Sequence, residues 1–224
     1  MSPHDRAVDS LLSRDPLFRR CLEARGPLPE PVPRTPSGFP GLLRIILEQQ
    51  VSTLAAEAMW RKLCAAAGTL PTPEAVLALP DDTLKACGFS RQKIDYARGL
   101  AGEVASGRLD MDLIDRLPDD EALEALVRVK GIGRWSAEIY LLLVLCRPDV
   151  WPVDDLAVAL GLQWLLDREV RPPRDELLAL GDPWRPYRST AARLVWHYYL
   201  SVAPERRRRA RGSPALAAEG ISPK

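Results

Sequence analysis

The chain has 224 residues, 46% hydrophobic, with 31 Lys and Arg against 30 Asp and Glu. That length buries a real core in one domain or two small lobes, because single cores stop growing near ~250–300 residues. The longest apolar run, Ile139 to Cys146, falls far short of the ~18 residues of a membrane span, and no charged-then-apolar leader opens the chain; a soluble, cytoplasmic protein is expected, nucleoid-associated if bacterial. Helical spacing places helices near Arg6–Ser13 and Pro16–Ala24. Gly26 to Ser37, with five prolines, reads as an extended connector rather than a domain boundary. Helices follow near Gly41–Gln50 and Thr53–Ala66, and Thr72-Pro73 supplies a cap with proline at the first helical position. Ser90 caps a stretch whose apolar face is Ile94, Ala97, Leu100, Ala101 and Val104. Asp119 opens a short helix after Pro118, and further helices lie near Trp135–Cys146, Asp155–Asp167, Arg174–Leu180 and Arg188–Val202. No alternating apolar–polar run supports a sheet. Residues 1–205 are expected to form the folded domain and 206–224 a basic, disordered tail.

Four cysteines, Cys21, Cys64, Cys87 and Cys146, stand far apart among apolar neighbours. No pair has zinc or iron–sulfur spacing, and they read as buried thiols in a reducing compartment. Charge is unevenly spread: residues 206–224 carry six basic groups and one acidic, leaving 25 basic against 29 acidic in the body. A slightly acidic body argues against a nucleic-acid partner, except where helix-start amides attract phosphate without formal charge.

The most specific pattern is Leu126-Val127-Arg128-Val129-Lys130-Gly131-Ile132-Gly133-Arg134-Trp135-Ser136-Ala137-Glu138, followed by Pro152-Val153-Asp154-Asp155-Leu156. Two glycines bracket one apolar residue directly before a helix, so backbone amides can approach a phosphate that no side chain blocks. Taken alone, the same glycines also suit an ordinary helix–turn–helix joint, and an Asp-Asp pair before Leu-Ala-Val-Ala-Leu also suits an ordinary helix start, one aspartate capping and the other favouring the dipole. Upstream lies Ile45-Ile46-Leu47-Glu48-Gln49-Gln50-Val51-Ser52.

These three ordered segments resemble the helix-hairpin-helix, Gly/Pro-loop, Asp superfamily of DNA base-excision glycosylases, most closely its 3-methyladenine DNA glycosylase II branch, from about Phe39 to Val202. The resemblance implies an all-α fold of two helical lobes flanking a cleft, the middle of the chain forming one lobe and both ends the other, without that branch's N-terminal β domain. It makes Asp155 the catalytic carboxylate, with Asp154 as a cap or supporting group. Gly131, Gly133, Arg134 and Lys130 become phosphate contacts, although a solvated charge fits the last two equally. Trp135, Tyr187 and Ile139 line the base pocket; Ile139 replaces a tyrosine of the best-known members, which leaves the base range open. Gln50 is the wedge that fills the gap left by a flipped base, while Gln49 bonds loop backbone. No cofactor is required, although carbonyls of Val127, Val129 and Ile132 can hold Na+ or K+ bridging to phosphate. His4 and His197 are read as noncatalytic, and Trp184, Trp196, Tyr198 and Trp60 as core.

The implied function is a monomeric, monofunctional glycosylase excising alkylated purines from duplex DNA in base excision repair. Trp135 stands where strand-cutting relatives carry a Schiff-base lysine, which disfavours lyase activity. Two alternatives stay open on sequence alone: a catalytically weak damage-binding or architectural DNA protein, and an all-α protein-interaction domain in which every motif is structural.

Overall fold

The computed structural model describes residues 1–33 and 35–212, side chains of 207 and 209–212 excepted. In chain order the helices are α1 (Pro3–Arg14), α2 (Leu17–Arg25), α3 (Phe39–Glu48), α4 (Thr53–Ala67), α5 (Pro73–Ala78), α6 (Asp81–Ala86), α7 (Arg91–Ala105), α8 (Met111–Ile114), α9 (Asp119–Val127), α10 (Arg134–Ile139), α11 (Leu156–Leu165), α12 (Arg174–Gly181) and α13 (Arg188–Gly212). There is no strand among the described residues, and none of the described helices is long and apolar enough to cross a membrane. Among the described residues two compact units result: Met1–Val32 with residues 147–212, and Pro33–Cys146.

The expected caps form where side-chain chemistry provides them. Thr72 and Ser90 accept the N–H groups of Ala75 and Lys93, each at 3.2 Å. Asp119 is instead the first residue of α9, whose cap position is held by Pro118 without a side-chain bond; three acidic residues in that first turn favour the helix dipole. The helix expected over 135–146 changes character midway. After α10 the backbone widens to a π-helical segment, Tyr140–Val144, with the Leu145 N–H donating to the Tyr140 carbonyl at 3.1 Å.

In the middle unit α3 is buried nearly all round and packs against α4, α7 and the π segment. Tyr140, fully buried, accepts the Gly38 N–H at 2.8 Å and donates to Asp115 at 3.0 Å, which ties the start of α3 to the π segment and to the chain after α8. Burial raises its phenol above the ordinary range.

In the terminal unit Phe18 and Trp151 meet Trp184 edge-on, at centroid distances of 5.0 and 5.2 Å. Burying indoles requires partners for their N–H groups: Trp151 donates to the Leu177 carbonyl at 2.8 Å and Trp184 to Asp15 at 3.1 Å. Helices α11 and α13 approach closely at Gly161, where a Cβ would stand 2.6 Å from Val195 Cγ1.

Helix α13 corrects the expectation of a disordered tail from residue 206. It runs through Pro204, where only one backbone donor is lost, to Gly212, and the Arg206 guanidinium lies 4.8 Å from the Trp164 ring centroid. Residues 213–224 of the expected tail lie outside the described residues. Cys21 and Cys87 are buried as expected, whereas Cys64 and Cys146 are only half-buried.

Candidate DNA interface and catalytic carboxylate

The hairpin is built by short-range bonds between α9 and α10. The Val129 N–H donates to the Leu126 carbonyl at 3.1 Å and the Ile132 N–H to the Val129 carbonyl at 3.0 Å. Val129 and Ile132, 6% and 3% exposed, bury their side chains, while Lys130 and Gly133 between and beside them are exposed. Gly131 sits at φ +93°, a left-handed conformation open to glycine. Gly133 is extended, at φ −83° and ψ 171°, and caps α10 without a side chain. A Cβ there would meet nothing within 4 Å, so glycine at 133 is not needed to relieve strain.

Gln49 behaves as expected of a residue bonding loop backbone: its Nε2 donates to the Gly131 carbonyl at 3.0 Å and to Ser136 Oγ at 2.9 Å. Gln50 is exposed at φ +55°. That conformation is uncommon for a side chain other than glycine and sets Gln50 apart at the tip of the loop between α3 and α4. Gln50 and Val127–Gly133 line one recess of about 640 Å³ together with Ser90, Lys93 and Tyr96. Lys93 donates from Nζ to the Leu47 carbonyl, and burial lowers its pKa below the ordinary lysine range.

Lys130 is exposed at the hairpin, with no ion pair to another described residue. Arg134 is more constrained than a solvated phosphate ligand: its Nε donates to Glu138 at 2.8 Å, and that glutamate is 2% exposed. Trp135 is half-buried on α10. Ile139, one turn further, is 4% exposed.

In the terminal unit Asp155 caps α11. Its Oδ1 accepts the Val158 N–H at 2.9 Å and the Trp196 Nε1–H at 2.9 Å. Asp154 is not the cap; it is exposed and pairs with Arg174 at 3.1 Å. Both aspartates border a recess of about 380 Å³ that also includes Arg171 and Arg174. A carboxylate held by a helix-start amide and an indole N–H has fixed orientation and can stabilise positive charge developing on a nearby atom. Tyr187 is half-buried, with the Arg14 guanidinium 5.9 Å from its ring centroid.

Trp196 is therefore not simply core: half-buried on α13, it orients Asp155. Nothing in its helical neighbourhood signals this, because the bond depends on packing α13 against α11. Trp184, Tyr198 and Trp60 are buried, at 2%, 8% and 7% exposure. Both histidines bond to backbone carbonyls, His4 to Leu28 at 2.9 Å and His197 to Gly26 at 3.1 Å.

A glycine hairpin presenting backbone amides and an aspartate fixed at a helix start define, on this all-helical scaffold, a DNA-repair class. Residues 43–186 match the HhH-GPD superfamily of base excision DNA repair proteins, and the chain belongs to it. It is 34% identical over 158 residues to DNA-3-methyladenine glycosylase 1 of Schizosaccharomyces pombe, covering 69% of each protein. Its fold resembles that of the S. pombe 3-methyladenine DNA glycosylase solved with abasic DNA, with a TM-score of 0.79, 30% identity, and 85% of this chain and 95% of that one covered. It also resembles a Bacillus halodurans DNA-3-methyladenine glycosidase, with a TM-score of 0.74, 30% identity, and 91% and 92% covered.

Proposed function

We propose that this protein is a monomeric, monofunctional DNA glycosylase that flips alkylated purines out of duplex DNA and hydrolyses their N-glycosidic bond, leaving an abasic site. The observation that carries this reading is the orientation of Asp155 by Val158 N–H and Trp196 Nε1–H. As the bond to the base lengthens, positive charge builds on the sugar; the Asp155 carboxylate offsets it and positions water for attack at C1′. N3- or N7-alkylation makes the base cationic before cleavage, so it leaves without a proton donor. Trp135 offers an indole face to such a base, a contact worth ~0.5–2 kcal/mol, and Tyr187 is a second pocket aromatic. Gln50 fills the vacated stack, and the amides around Gly131 and Gly133, with Lys130 and Arg134, hold the strand.

The hairpin carbonyls of Val127, Val129 and Ile132 are three neutral oxygens, a donor set suited to Na+ or K+. The Val129 carbonyl accepts one N–H bond, which leaves a lone pair for such an ion. Those carbonyls would hold the ion, which would supply positive charge to attract a phosphate.

Incubating the protein with methylated duplex DNA and identifying the released bases tests this assignment. Release of 3-methyladenine or 7-methylguanine is expected, with nicking only after alkali or heat. Because Trp135 provides no amine, borohydride should trap no protein–DNA adduct; a strong trapped band would move the protein to the strand-cutting class, with Lys130 the first amine to test. A second reading, a weakly catalytic damage-binding protein, has one observation in its favour: capping α11 gives Asp155 a structural task that survives without catalysis. Binding of abasic DNA without release of any alkylated base would select it.

A further inference from the structure

The hairpin turn is gripped by residues from two other helices. One grip is the hydrogen bond from Gln49, at the end of α3, to the Gly131 carbonyl at 3.0 Å. The other is Tyr96 on α7: a Cβ built on Gly131 would lie 2.3 Å from Tyr96 Cγ and within 2.7 Å of both ring Cδ atoms, so the phenol ring lies flat against the glycine backbone. No side chain fits between them. Tyr96 is half-buried, and its hydroxyl accepts a hydrogen bond from Gln92 Nε2 at 2.7 Å, one turn earlier on the same helix.

We propose that Tyr96 is a positioning residue for DNA binding, its ring serving as the rigid floor that holds the Gly131 peptide, and hence the neighbouring amides, in the geometry that receives a phosphate. A turn of this composition, with glycine at 131 and 133, would otherwise have to give up backbone freedom whenever DNA binds. Fixing it beforehand lowers that cost and strengthens binding without adding a contact to the ligand. The hydroxyl is not the working part. It is engaged by exposed Gln92, while the flat face does the holding. Lys93 borders the same recess but directs its ammonium to the Leu47 carbonyl, so α7 contributes shape here more than charge. This inference rests on the hairpin's role as a phosphate-binding turn.

The test uses the full chain, a duplex carrying a tetrahydrofuran abasic analogue for affinity, and methylated duplex at saturating protein for single-turnover base release. Tyr96→Ala should weaken duplex binding about tenfold, leave the single-turnover rate within about twofold, and lower kcat/KM through KM. Tyr96→Phe, which keeps the face and loses the hydroxyl, should bind as tightly as the wild type. If Tyr96→Ala fails to fold in a thermal melt, Tyr96→Leu, which keeps bulk without a flat face, takes its place with the same expectation. Unchanged affinity in the alanine or leucine variant would overturn the proposal, as would a phenylalanine variant as weak as alanine, since the hydroxyl would then be the DNA contact. Gly133→Ala separates this from the hairpin's own role: its backbone is extended and its Cβ has open space, so it should fold, yet it adds a methyl at the residue directly before α10. Wild-type binding by Gly133→Ala would refute the phosphate-binding hairpin itself, whereas weakened binding there with undiminished binding by Tyr96→Ala would refute only the role of Tyr96.

Discussion

On the proposed reading Asp155 does two jobs with one side chain, capping α11 and stabilising charge on the sugar. Capping α11 fixes the carboxylate through Val158, and the indole of Trp196 fixes it through a second donor on the same oxygen. Trp196→Phe removes that donor while keeping most of the ring, so single-turnover excision should fall about tenfold, with DNA affinity little changed. An undiminished rate would show that the indole bond does not orient the carboxylate. Of the candidate residues, the two hairpin glycines stand out by local order, whereas Asp155 and Gln49 are singled out only through the family resemblance. Trp196 and Tyr96 are singled out by neither, since each acts only through tertiary packing, and a tryptophan or tyrosine in an amphipathic helix reads as core. A different group should contribute to alkaline stability. Burial pushes the Cys21 thiol from an ordinary 9.0 to about 12, with Arg20 opposing only in part. A thiol whose folded pKa is raised stabilises the fold fully below the unfolded value, and that stability is lost as pH rises between 9.0 and about 12. Urea midpoints for the wild type should therefore fall more steeply across that window than those of Cys21→Ala; parallel curves would contradict this.

At the scale of elements, sequence located most helices because caps and apolar periodicity agree with the folded core, as at Thr72 and Ser90. Short pieces such as α6 and α8, of 6 and 4 residues, escape a sequence reading because too few turns exist to show a period. The π segment after α10 is equally invisible, since apolar composition alone does not distinguish a wide turn from an α-helical one. The end of α13 departs from expectation for a clearer reason: an arginine run after Pro204 suggests a disordered tail, yet the helix continues and Arg206 covers Trp164. Arg206 packs there, and the arginines that follow it in sequence, Arg207, Arg208, Arg209 and Arg211, are proposed for electrostatic work. Replacing those four with glutamine should flatten the salt dependence of DNA affinity, by ~0.9 in the log–log slope for each phosphate no longer neutralised, while single-turnover excision at saturating protein survives. An unchanged slope would leave the arginine run without a DNA role.

The whole chain combines a near-neutral composition with a nucleic-acid task. On the proposed reading a formal charge of +1 is compatible with that task, because backbone amides at the hairpin would draw phosphate without adding formal charge. Strand holding and bond cleavage thus fall to different residues, and substitution at Asp155 separates them. Asp155→Asn keeps the shape of the side chain and the oxygen that accepts from Val158 and Trp196, but removes the negative charge. Measured side by side on methylated duplex DNA, wild type and Asp155→Asn should bind with similar affinity, and the variant should release bases ~10²–10³ times more slowly in a single turnover. A variant that excises at the wild-type rate, or wild-type protein that binds the duplex and releases no base, would contradict catalysis by this aspartate.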